Sequence, residues 1–156
     1  FMDNCAVLSR YAYGWDIRPI VLDHEEVFGE TYEKLRRIGG ERWTCLFCKR
    51  VLLRKACEIA DQHKAKALVT GDSLGQVASQ TLDNLEVISY GIEKPILRPL
   101  IGLDKTEITA LARRIGTFEI STREARVCPY LPPDPLTKAS LPKLKAIVEK
   151  MGESET

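Results

Sequence analysis

The residues able to do chemistry in this sequence are of two kinds: cysteines at metal or redox spacing, and a polar run at the end of an apolar one. Five cysteines occur in 156 residues. Cys45-Leu46-Phe47-Cys48 is a CxxC pair in a loop just ahead of a helix expected over Lys49–Gln62. A redox pair is one reading, but that motif normally follows a strand, and here a charged helix and a loop precede it. A metal centre is a second reading and needs a further thiolate. Cys128 offers one, in the proline-rich stretch Val127-Cys128-Pro129. Two clustered thiolates and one distant one suit an iron–sulfur cluster or a catalytic zinc with an open position better than a closed structural zinc site. The third reading is of unrelated reduced thiols, since a CxxC without a second one is a weak pattern. Cys57 falls on the apolar side of its helix and is expected in the core, and Cys5 is ambiguous.

The polar run is Thr70-Gly71-Asp72-Ser73-Leu74-Gly75-Gln76-Val77-Ala78-Ser79-Gln80-Thr81. Lys66-Ala67-Leu68-Val69-Thr70 before it reads as a buried parallel strand. Gly71 permits a sharp turn, and Asp72 or Ser73 can cap the next helix. Leu74, Val77, Ala78, Thr81, Leu82 and Leu85 recur at helical spacing, so that helix is expected from the turn. A strand end opening onto a helix N-terminus is where open α/β sheets bind nucleotides and other anions. An ordinary connection would explain the same pattern, but Asp72, Ser73, Gln76, Ser79 and Gln80 are more hydrogen-bonding groups than packing needs. Lys105, at the start of another helix, opposes the helix dipole, and a nearby phosphate would give it a reason. A solvated surface lysine is the plainer reading.

These residues must be positioned by alternating strands and helices. A helix is expected over residues 3–13, closed by Gly14, then a strand over Asp16–Asp23 with Pro19 near an edge. Residues 30–38 read as a charged helix ending at Gly39-Gly40. Val87–Ser89 reads as a short strand, and Pro95–Ile101 as a strand interrupted by proline. Asp104 caps a helix over Lys105–Ile115, with Glu107 as capping-box partner and Gly116 as its stop. Residues 122–137 are irregular, and a last helix over Ser140–Met151 leads to a polar tail. The alternation predicts an α/β fold, a parallel sheet with helices on both faces. Such folds normally begin with a strand, so a first strand and the loop after it are expected to be missing.

The totals bound the function. One domain is expected, with 44% apolar and 29% charged residues, as in a soluble globular protein. Twenty-three Lys and Arg against 22 Asp and Glu leave no basic excess for gripping nucleic acid unaided. No apolar run of about 18 residues predicts a membrane span. Cysteines without a secretory signal point to a reducing, cytoplasmic setting.

The run Thr70–Leu82, then Ile96-Leu97-Arg98-Pro99-Leu100-Ile101, Asp104-Lys105 and Ile115-Gly116-Thr117, resembles the PP-loop domain of the tRNA 4-thiouridine synthetase (tRNA sulfurtransferase) family. The likeness extends from about residue 3 to about residue 140, and the TGDSLGQVASQTL string is its most specific part. It implies a Rossmann-like parallel sheet of the adenine-nucleotide alpha-hydrolase type over residues 1–140, with residues 141–156 a C-terminal helix and tail. It implies ATP- and magnesium-dependent adenylation of a tRNA uridine O4, which turns a poor leaving group into AMP, followed by sulfur insertion to give 4-thiouridine. A link to thiamine biosynthesis comes with the family. By resemblance Gly71, Asp72, Ser73, Gln76 and Gln80 belong to the nucleotide pocket, and Lys105 matches a lysine required for activity. Cys128 matches the cysteine that carries sulfur as a persulfide. Cys45 and Cys48 resemble the CxxC of archaeal members, which with the Cys128 equivalent holds an iron–sulfur cluster, zinc being the alternative. The implied partners are tRNA, gripped through an N-terminal THUMP-type region not present in this chain, and a sulfur donor protein or sulfide; a homodimer is allowed.

One departure concerns the phosphate loop. The family's SGGxDS has only Met2-Asp3-Asn4 to correspond here, so Asp3 stands for the loop aspartate and the Ser-Gly-Gly is absent. Two other functions therefore stand beside the main one: a degenerate, non-catalytic nucleotide- or metal-binding module, and a PP-loop enzyme thiolating another tRNA position.

Overall fold

The computed structural model describes residues 1–124 and 127–153. The end of the expected polar tail, residues 154–156, lies outside them. The helices are α1 (Met2–Leu8), α2 (His24–Arg37), α3 (Thr44–Gln62), α4 (Leu82–Ser89), α5 (Lys105–Ile115), α6 (Phe118–Ser121) and α7 (Leu141–Lys150). Strands β1 (Leu68–Val69) and β2 (Ile96–Leu97) pair in parallel, Leu68 opposite Ile96 and Val69 opposite Leu97. The Leu68 N–H donates to Pro95 O and the Thr70 N–H to Leu97 O, so β2 occupies one side of β1. Among the described residues no strand lies on the other side. Val69 is 69% exposed and Leu97 54%.

Local signals set several element ends. The Asp104 side chain accepts from the Glu107 N–H while the Glu107 carboxylate accepts from the Asp104 N–H, a complete capping box, and Gly116 closes α5 at φ +82°. That left-handed conformation carries no Cβ penalty in glycine. Asp23 caps α2 by accepting from the N–H groups of Glu25 and Glu26, so the helix starts six residues ahead of the expected residue 30.

Four expectations are corrected. Asp16–Asp23 has no regular secondary structure. A strand exists only through a partner's hydrogen bonds, and among the described residues this segment pairs with no strand. Val87–Ser89 lies in α4, where Val87 and Ile88 are fully buried. The CxxC occupies the first turn of α3 and not a loop before it. No helix rises from Gly71–Ser73: Gly75 is left-handed at φ +73°, Val77 is extended, and a single tight turn over Ala78–Gln80 intervenes. The helix begins at Leu82, where the Thr81 hydroxyl accepts from the Asn84 N–H.

The core lies between α2, α3, α4 and α7. Phe28, Leu35, Leu46, Ile88, Val87 and Leu144 are almost wholly buried, each contributing about 1.5–3 kcal/mol by leaving water. Cys57 packs against this core and is half-buried, close to its expected place. Two polar residues are enclosed with it. Arg50 donates to Val87 O and to Tyr90 O (2.9 Å), satisfying carbonyls at the C-terminal end of α4, and burial pulls its pKa down to about 10. Asn84 donates to Ala78 O (2.7 Å) and Leu136 O (2.8 Å) and accepts from the Ala139 N–H (2.9 Å). Its amide thus fastens the proline-rich loop onto α4. No helix among the described residues is long and apolar enough to cross a membrane.

Candidate functional site

The carboxyl ends of β1 and β2 lead into the two segments singled out by the sequence. Asp72, just beyond β1, is 8% exposed. One oxygen accepts from Lys49 Nζ at 3.0 Å, and the other from Thr70 Oγ1 at 2.8 Å and Arg98 Nε at 3.3 Å. Burial pushes its pKa up, but the Thr70 hydroxyl, the Lys49 ammonium and the Gln80 side chain outweigh that and hold the carboxyl below its ordinary range. Arg98 also donates to Ser89 Oγ at 2.7 Å. Asp72 therefore links β1, β2 and α3, which makes it a fastening for the turn as well as a wall of it. A small apolar hollow of about 210 Å³ opens beside it, lined by Lys49, Leu52, Leu53, Thr70, Asp72 and Ile88.

The second segment is the loop ahead of α5. Ser73 Oγ donates to Leu103 O at 2.7 Å, and the Leu74 N–H to Ile101 O at 3.2 Å. These bonds hold residues 71–74 against 101–103, so Lys105, two residues further on, starts α5 beside the turn. Its side chain is exposed and makes no ion pair among the described residues. Of the other expected pocket residues, Gly71 and Gln76 are exposed, and Gln80 is half-buried with its side-chain Oε1 unpartnered among the described residues. Asp3 is elsewhere bound: it accepts from Arg123 Nη1 at 2.6 Å, both side chains being exposed, where α1 packs on α6. Among the described residues no hydrogen bond or ion pair joins it to the Asp72 group.

The cysteines form a neighbouring group. Cys45 and Cys48 lie three residues apart, hence on one face of the first turn of α3. Cys128 sits exposed on the loop that faces them. Burial and then the proximity of Cys128 raise both thiols, Cys48 to about 11, against the opposing charge of Lys49. His24, the first residue of α2, places Nε2 3.2 Å from Cys48 Sγ. The His24 ring stacks on Phe28 (centroids 5.6 Å apart, 11° between planes) and meets Tyr130 edge-on at 5.3 Å.

Among the described residues no three of His, Cys, Asp or Glu are gathered tightly enough to enclose a single metal ion. Three free, neighbouring cysteines are a soft donor set of the kind that iron or zinc takes.

Lys49, Arg98 and His24 were not singled out by the sequence. Lys49 lies 23 residues from Asp72, Arg98 lies 26 from it, and His24 lies 24 from Cys48. No local pattern announces such pairs. The one available signal was that Lys49 follows the CxxC directly.

A sequence model described as "Thiamine biosynthesis protein (ThiI)" matches residues 2–152. The chain belongs to the ThiI family. It is 50% identical over 139 residues to a probable tRNA sulfurtransferase of Methanocaldococcus jannaschii, covering 89% of this chain and 36% of that relative. A probable tRNA sulfurtransferase of Thermococcus kodakarensis is 42% identical over 140 residues, again covering 36% of the relative. The chain thus spans little more than a third of these ThiI relatives. The crystal structure of a 4-thiouridine synthetase–RNA complex with bound ATP superposes on it with a TM-score of 0.86 and 30% identity, covering 97% of this chain and 39% of that one. The Rossmann-like fold expected of a ThiI-family PP-loop domain is the fold observed.

Proposed function

We propose that this chain is the catalytic part of a tRNA sulfurtransferase: ATP-dependent adenylation of a tRNA uridine O4, then sulfur insertion to give 4-thiouridine. The observation that carries this is likeness over almost the whole chain to a 4-thiouridine synthetase holding RNA and ATP. The geometry supports the following division of labour. Gly71, Asp72, Ser73, Gln76 and Gln80 form the nucleotide turn, shaped by Lys49 and Arg98 on Asp72 and by the bond from Ser73 to Leu103. Lys105 starts α5 from the adjoining loop with an exposed ammonium, suited to neutralising phosphate charge that develops as pyrophosphate leaves. By resemblance Asp3 would stand for the phosphate-loop aspartate, whereas here it pairs with Arg123.

Sulfur is delivered through Cys128, exposed on its loop, or through an iron–sulfur cluster that it would hold with Cys45 and Cys48. A bound cluster supplies a thiophilic iron for incoming sulfide. The chain's own contribution is to keep Cys45 and Cys48 on the same helix as Lys49, which ties the sulfur side of the site to the nucleotide turn. The tRNA is held chiefly by other parts of the whole protein, consistent with the balanced charge of this part.

The test is nucleoside mass spectrometry of tRNA incubated with the full-length protein, ATP, magnesium and sulfide. Wild-type protein should form 4-thiouridine, and Cys128→Ala and Lys105→Ala should not. Thiolation at another tRNA position would replace the substrate assignment, and full activity of Cys128→Ala would remove its sulfur role.

A further inference from the structure

The imidazole against Cys48 has no part in the proposed sulfurtransferase chemistry. We propose that His24 is the positioning residue of the sulfur site, its Nε2–H donating to Cys48 Sγ whenever that sulfur is a metal-bound thiolate. This rests on the three-cysteine cluster reading. Three observations carry it. The Nε2 to Sγ contact of 3.2 Å is of hydrogen-bond length for sulfur. The ring cannot swing freely, since it lies between the face of Phe28 and the edge-on ring of Tyr130. Tyr130 in turn packs on Phe28 and Tyr32 (centroids 5.5 and 4.7 Å), and it is two residues from Cys128. One aromatic group, anchored on fully buried Phe28, therefore sets both the imidazole and the loop that carries the third cysteine.

The consequence for the sulfur is electronic and geometric. A metal-bound thiolate carries no proton, so only an outside donor can offset its charge. Hydrogen bonds to ligand sulfurs raise cluster reduction potentials and fix the ligand rotamer. The bond would fall on one thiolate of the three, which would make Cys48 a less electron-donating ligand than Cys45 or Cys128. His24 sits on α2 and Cys48 on α3, so the contact also fixes the register of the two helices at the site.

The experiment uses this chain, loaded anaerobically with ferrous iron and sulfide, as wild type, His24→Phe and His24→Gln. Phenylalanine keeps the stack on Phe28 and removes the donor; glutamine restores an N–H. Iron content and reduction potential are read by spectroelectrochemical titration. The expected result is equal iron in the three proteins, a lower potential in His24→Phe, and partial return in His24→Gln. Equal potentials with equal iron overturn the role of His24 and leave the cluster reading intact. Iron lost from His24→Phe and not regained in His24→Gln also overturns it, making the ring a structural or ligating group. No iron in the wild type overturns the three-cysteine reading and this inference with it.

Discussion

Replacing Asp72 by Asn removes the one anion shared by Lys49, Arg98 and Thr70. In the folded chain its three contacts are 3.0, 3.3 and 2.8 Å long, and the residue is 8% exposed. Hydrogen bonds to charged groups contribute about 1.5–3 kcal/mol each. Asparagine keeps one acceptor oxygen, and Lys49 and Arg98 retain partial access to water, so the losses do not sum. Losing the charge while two cations remain beside each other should cost about 2–3 kcal/mol. For a chain of this size that is a fall in Tm of roughly 5–10 °C. The same reasoning fixes the pH dependence. The carboxyl titrates below its ordinary value when folded, so its stabilisation is complete above the unfolded value and disappears as pH falls through the folded one. The gap between wild type and Asp72→Asn should therefore be constant from about pH 7 to about pH 5 and close in more acid solution. Circular dichroism melts across that range, with Lys49→Met and the double variant completing a cycle, measure it. A variant within about 0.5 kcal/mol of wild type at neutral pH, or a gap that persists in acid, would refute the reasoning.

Asn84→Ala leaves two carbonyls and one N–H without their partners in a fully buried place, and should lower stability by about 3 kcal/mol, seen as an earlier urea midpoint with an unchanged slope. Lys105→Ala should leave the melting temperature unaltered, because the side chain is exposed and pairs with no carboxylate among the described residues, while 4-thiouridine formation by the full-length protein drops at least about 100-fold; a large loss of stability with intact activity would reverse the assignment.

What could be read from the sequence was what the chain decides locally. Asp104, Glu107 and Gly116 carry the whole specification of α5 in thirteen residues, and the structure has each of them in its expected role. The apolar runs Lys66–Thr70 and Pro95–Ile101 made parallel strands legible, but pairing is limited to Leu68–Val69 and Ile96–Leu97, and Val69 is exposed where a buried strand was expected. Asp16–Asp23 carries an equally good strand pattern, yet pairing belongs to two segments and no single one encodes it. The helical spacing from Leu74 to Leu85 was real, but Gly75 and extended Val77 interrupt the backbone, which side-chain spacing does not register. At the site, Asp72, Ser73 and Lys105 were visible as residue types out of place. Lys49, Arg98 and His24 became visible only when folding set them against Asp72 and Cys48.

The far side of β1 has a consequence for handling the protein. Val69 and Leu97 form an exposed apolar ladder rung, and Trp15 and Val21, on the segment that pairs with no strand among the described residues, are 84% and 73% exposed. Backbone groups without a partner beside apolar side chains are adhesive toward any extended chain. Charge repulsion does little to keep copies apart, because the molecule carries a formal charge of only +1. Concentrated solutions of this chain should grow β-rich aggregates from that edge, and a lysine at position 69 should keep them clear.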